Sequence, residues 1–131
     1  MREKPLILIV DDEDAFLEIL GTKLRSSGYE VGLAHNEAEA LAQAEALLPD
    51  LILMDIHMPG RTGTDAALGI KQNPKTKDIK IAFLTSLEKP WPGIAVEKNQ
   101  VAAKEMGAEE FLRKDEDLGV TLNEIKNLLS K

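Results

Sequence analysis

Apolar residues fall into two patterns along the chain. Leu6–Val10, Leu51–Met54 and Ile79–Leu84 are continuous apolar runs broken only at Lys80, which is how strands read when a parallel sheet buries them on both faces. Phe111 and Leu112 make a shorter run of the same kind, while Tyr29–His35 sets Val31 and Leu33 on one side, as an edge strand does. Between the runs the spacing is helical. Phe16, Ile19, Leu20 and Leu24 predict one helical face, ended by Ser26, Ser27 and Gly28. Asn36 with Glu39 reads as a capping box, opening a helix with Ala40, Leu41, Ala44, Leu47 and Leu48 inward and Pro49 and Asp50 at its end. A third helix is expected from Thr64 to Gln72, burying Ala67, Leu68 and Ile70 until Asn73 and Pro74 break it. Ile94 to Met106, closed by Gly107, predicts a fourth. A second capping box, Thr121 with Glu124, opens a last helix with Leu122, Ile125, Leu128 and Leu129 on its apolar face.

Five strands alternating with five helices, joined by connections too short for anything but crossovers, imply an α/β fold with a parallel sheet wound on both faces. The flavodoxin-like order 2-1-3-4-5 is the arrangement expected. At 131 residues the whole chain, 1–131, is read as a single domain. Aromatics are only 4%, a balance that suits helices packed on a sheet better than a β-sandwich.

Charge narrows the function. A net charge of −7 and a pI near 4.9 argue against direct nucleic-acid binding, which needs clustered Lys and Arg. They fit cationic or metal ligands instead. With no cysteine there is no disulfide or thiolate metal site. No apolar segment is long enough for a signal peptide core or a membrane span, so no membrane partner is expected and the location is read as cytoplasmic.

The polar residues that follow the strands then form a set. Asp11 and Asp12 follow the first strand, Asp55 the third, Thr85 and Ser86 the fourth, and Lys114 the fifth. Ligands of open α/β sheets bind beyond the carboxyl ends of the strands, and Pro59, Gly60 and Gly63 keep the chain after Asp55 a turn-rich loop. Taken singly, each residue has an ordinary explanation: acids at a helix start, a helix cap, a strand-end hydroxyl, a surface lysine. Asp55 by itself leaves nucleophile, metal ligand and cap open. Gathered on one rim, the three carboxylates repel unless a cation intervenes, and Mg²⁺ suits few carboxylates plus phosphate oxygens. Phosphoryl transfer would use every member: Asp55 attacking phosphorus, the metal and Lys114 neutralising its oxygens, Thr85 hydrogen-bonding one of them.

This combination resembles the receiver domain of two-component response regulators from about Leu6 to Leu129. The resemblance is carried by Asp11 and Asp12, by Asp55, Ile56, His57, Met58 and Pro59 with Gly63, by Thr85, and by Gly107 and Ala108 leading to Phe111, Leu112 and Lys114. It implies that Asp55 accepts a phosphoryl group from a sensor histidine kinase or histidine phosphotransfer protein. It further implies Mg²⁺ held by Asp12, Asp55 and the backbone carbonyl of His57, with Asp11 acting partly through water. Thr85 and Phe111 would be switch residues that alter the surface of the fourth predicted helix, fifth strand and last helix. A downstream protein would read that surface. The implied role is a stand-alone, chemotaxis-type signalling module, not an enzyme.

Two departures stand out. Asp115 follows Lys114 where the family usually has proline in a cis peptide, which a non-proline residue adopts at a cost of about 3 kcal/mol. The stretch from Thr85 to Gly107 is also longer than usual, the excess falling around 88–99 and including Trp91. Two rival readings follow. One is a non-phosphorylated pseudo-receiver acting as a protein-interaction module. The other is an aspartate-nucleophile phosphatase built on Asp12 and Asp14.

Overall fold

The computed structural model describes residues 3–56, 63–85, 110–114 and 116–130. The strands are β1 (Leu6–Val10), β2 (Glu30–Ala34), β3 (Leu51–Asp55), β4 (Lys80–Thr85) and β5 (Glu110–Arg113). The helices among the described residues are α1 (Asp14–Ser26), α2 (Glu37–Leu47), α3 (Gly63–Gln72) and α4 (Leu118–Leu129). The helix expected over Ile94–Met106 and the Trp91 segment lie outside the described residues. All strand pairs are parallel, in the order β2-β1-β3-β4-β5. This is the flavodoxin-like order expected from the sequence.

Alternation along each strand divides the apolar runs between two cores. Leu8, Val10, Ile52, Met54, Ile81, Phe83 and Phe111 face Ala40 and Ala44 of α2 and Ala66, Ala67 and Ile70 of α3. Ile7, Ile9, Leu51, Leu53, Ala82, Leu84 and Leu112 face Leu17, Leu20 and Leu24 of α1 and Ile125 and Leu128 of α4. Small residues bring the helices close on the first side. A Cβ on Gly69 would sit 3.0 Å from Leu41 Cδ2, so a side chain there would oblige Leu41 to give way by a few tenths of an ångström where α3 meets α2.

The helices lie differently from the simplest reading of their periodicity. Ile19 is exposed and Leu17 takes its place inward, because α1 turns Leu17, Leu20, Gly21 and Leu24 to the sheet. Leu68 likewise points outward, while Ala66 and Ala67 are buried. Leu48 is not part of the α2 face. It caps the helix in the left-handed region, φ 47°, and is half exposed. The last helix starts before the Thr121–Glu124 pair, at Leu118, with Asp117 Oδ1 accepting the Gly119 N–H at 2.7 Å. Asn36 does cap α2, accepting the Glu39 N–H at 2.9 Å. Glu39 reaches back to the His35 N–H, one residue earlier than a standard box.

Candidate functional site

β1, β3 and β5 are each extended by one backbone bond past their ends. The Asp11 N–H donates to Ala34 O at 3.0 Å, Ile56 N–H to Leu84 O at 3.1 Å, and Lys114 N–H to Thr85 O at 2.7 Å. Asp11, Asp55 and Lys114 are therefore carried on ordered backbone. The Asp11 side chain then turns the chain into α1, its Oδ1 accepting the Glu13 N–H at 2.9 Å.

This framework brings three carboxylates together. One oxygen from each of Asp11, Asp12 and Asp55 lies within 4.8 Å of the other two. Asp11 and Asp55 are buried, while Asp12 is exposed to solvent. Lys114 Nζ enters from β5, 2.7 Å from Asp11 Oδ2 and 3.7 Å from Asp55 Oδ2. Glu13 Oε1 accepts from the same ammonium at 2.6 Å, and Nζ sits 4.6 Å from the centre of the Phe16 ring. Lys114 thus reaches the pocket with Asp115, and not proline, following it.

Burial raises the Asp11 carboxyl pKa to about 6; the Lys114 ammonium and the Glu13 N–H pull it down, and the Asp55 charge pushes it up. Burial also works against the Lys114 charge, but the close contacts with Asp11 and Glu13 and the charges of Asp11 and Asp55 outweigh it and hold Lys114 above the ordinary lysine value. Asp11 Oδ2, although within ion-pair distance of Nζ, has no directed hydrogen bond and is fully buried. A buried carboxylate oxygen without a hydrogen bond, beside two further carboxylates, is a donor set short of positive charge. All the oxygens are hard ligands, so the residues fit a divalent cation such as Mg²⁺.

Residues 7–126 match the family model of the response regulator receiver domain. The chain belongs to that family. It is similar to the response regulator PleD of Caulobacter vibrioides, 36% identical over 111 residues, covering 85% of this chain but 23% of PleD. It is also similar to protein PilH of Pseudomonas aeruginosa, 32% identical over 124 residues, covering 95% of this chain and 97% of PilH. Among solved structures, the chemotaxis response regulator CheY4 of Vibrio cholerae superposes with a TM-score of 0.81, at 26% identity over 95% of this chain and 98% of that one. The receiver thus spans less than a quarter of PleD and nearly all of PilH.

Receiver domains work in two-component signalling with histidine kinases and phosphotransfer proteins. In this receiver Thr85 ends β4 half-buried, paired in register with Arg113. Phe111 is buried, its ring centre 5.4 Å from that of Phe83. His57, Met58, Pro59, Ser86 and Asp115 lie outside the described residues. Asp14, the second acid of the phosphatase pattern, turns away from the pocket, its Oδ1 3.0 Å from His35 Nε2. That leaves the Asp12–Asp14 pair without a common site. The pseudo-receiver reading finds no support either, since acids and lysine stand together.

The reading from sequence passed over two contacts, Glu13 and Phe16 on Lys114. The only signal was that Glu13 continues the acid run after Asp12. Nothing local says that its partner lies a hundred residues on. Among the described residues no helix is long and apolar enough to cross a membrane.

Proposed function

We propose that Asp55 is a phosphoacceptor, taking a phosphoryl group from a phosphohistidine of a sensor histidine kinase or histidine phosphotransfer protein. An Asp55 carboxylate oxygen forms the new O–P bond as the P–N bond breaks, and its electron pair returns to the imidazole nitrogen. A carboxylate nucleophile has no proton for a general base to remove. The observation that carries the reading is the approach of Lys114 Nζ to 3.7 Å from Asp55 Oδ2 beside a second and third carboxylate.

Asp11, Asp12 and Asp55, with the backbone carbonyl of His57, would hold Mg²⁺. When bound, it supplies positive charge to the oxygens of the transferring group. Lys114 adds a second cation on the β5 side, and the Thr85 hydroxyl hydrogen-bonds a phosphoryl oxygen in the product. The doubly charged product then biases a two-state rearrangement felt at Thr85 and Phe111 and on the adjoining surface of β5 and α4, where a downstream protein binds. On this reading the chain is a cytoplasmic signalling module, not an enzyme with a separate substrate, and its net charge of −7 weighs against direct contact with nucleic acid.

The test is intact mass after incubation with Mg²⁺ and a small phosphodonor. Wild type gains one phosphoryl adduct, Asp55→Asn gains none, and Asp12→Asn gains less. An adduct that persists in Asp55→Asn refutes the assignment.

A further inference from the structure

The Lys114 ammonium has three N–H donors. One is committed, to Glu13 Oε1 at 2.6 Å, and Asp11 Oδ2 stands at ion-pair distance, 2.7 Å, without a directed hydrogen bond. At 3.7 Å, Asp55 Oδ2 is outside hydrogen-bond reach. The Phe16 ring covers a further side of the ammonium, and the Lys114 side chain is only 12% exposed. A phosphoryl group on Asp55 draws Nζ toward β3, against its present contacts.

Those partners are not equivalent. Asp11 belongs to the group of carboxylates that converge on one point, so a cation there competes with Lys114 for it. Glu13 does not belong to that group. Its carboxylate stands on the solvent side of the ammonium, 65% exposed. Cation binding therefore loosens the grip of Asp11 on Lys114 and leaves that of Glu13 in place.

We propose that Glu13 is a positioning residue that tethers Lys114 away from Asp55, so that breaking the Glu13–Lys114 pair is part of phosphoryl uptake. The inference rests on Asp55 being the phosphoacceptor. A pair whose carboxylate is largely exposed is worth little, so its removal speeds the step about two- to fivefold rather than by orders of magnitude. The neutral isostere Glu13→Gln keeps the volume and removes the charge that makes the tether strong.

Two readouts test it in the full chain at saturating Mg²⁺. One is the rate of phosphoryl adduct formation with a small phosphodonor, followed by intact mass. The other, which needs no phosphorylation, is the rate at which acetic anhydride acylates Lys114, followed by peptide mass. Asp14→Asn is the control, since Asp14, next in the chain at the start of α1, carries the same charge but pairs with His35. The expected result is faster adduct formation and faster Lys114 acylation in Glu13→Gln, with neither in Asp14→Asn. Equal acceleration by Asp14→Asn overturns the proposal, because the effect would then be one of general charge. An unchanged adduct rate in Glu13→Gln, with wild type phosphorylated, overturns it while sparing Asp55. Absence of any adduct in wild type removes the phosphoacceptor reading and this proposal with it, and the acylation rates then show separately whether the tether exists.

Discussion

Asp11→Asn isolates the cost of keeping a carboxylate buried at the bottom of the pocket. In the folded chain burial lifts the Asp11 pKa from 3.8 to about 6. The folded state therefore binds more protons than the unfolded state between these values, and stability falls as pH rises through the interval. Full charge above pH 6 costs on the order of 3 kcal/mol at most, from a gap of about two pKa units. Only part of this is spent between pH 5 and 7, roughly 1 kcal/mol, or about 4 °C in Tm for a domain of this size. Asparagine keeps the volume and can still accept the Glu13 N–H, but it does not titrate. Urea unfolding of both proteins in EDTA, at pH 5, 6 and 7, gives the difference directly. The variant gains on wild type by about 1 kcal/mol from pH 5 to pH 7. Mg²⁺ should stabilise wild type more at pH 7 than at pH 5, since its ligand must be ionised. Parallel stability curves for wild type and Asp11→Asn over this range would refute the reasoning.

His35 bonds Glu39 through Nδ1 and Asp14 through Nε2, and the Glu39 hydrogen bond is the main reason its pKa is raised above 6.5. Its contribution to stability is present below the unfolded value and fades as pH rises through the folded one; an NMR titration should place His35 above 6.5, and Glu39→Gln should lower it. Leu48→Gly relieves a left-handed backbone, φ 47°, at a half-exposed position. It should raise stability by roughly 0.5–1 kcal/mol in urea unfolding, and a loss would mean that the leucine side chain contributes more than the strain costs. Leu20→Ala removes a fully buried contact between α1 and the sheet, and should lower stability by about 2–5 kcal/mol with the m-value unchanged.

Much of the site could be read from the chain because polar residues at the ends of buried runs have few places to go. Once Leu6–Val10, Leu51–Met54 and Ile81–Leu84 are interior strands of one parallel sheet, Asp11, Asp55 and Thr85 must emerge on its carboxyl rim. Local hydrophobic contrast is enough to settle that. It is not enough to orient a helix. Ile19 and Leu17, or Leu68 and Ala66, differ in facing by a rotation that the apolar spacing alone leaves open, and packing against the sheet chose the inward member.

Tertiary structure alone decided how the charges meet. Lys114 and Glu13 lie 101 positions apart, and no pattern along the chain links them. Their contact exists because β5 and β1 end on the same rim and the Asp11 turn swings Glu13 over it. The same holds for the acidity of Asp11, which is an ordinary aspartate by sequence and is perturbed only because the folded sheet removes it from water. Sequence determines which residues reach the rim, since solvent exposure follows from neighbouring hydrophobicity. Distance and dielectric belong to the fold, because both depend on atoms remote in the chain.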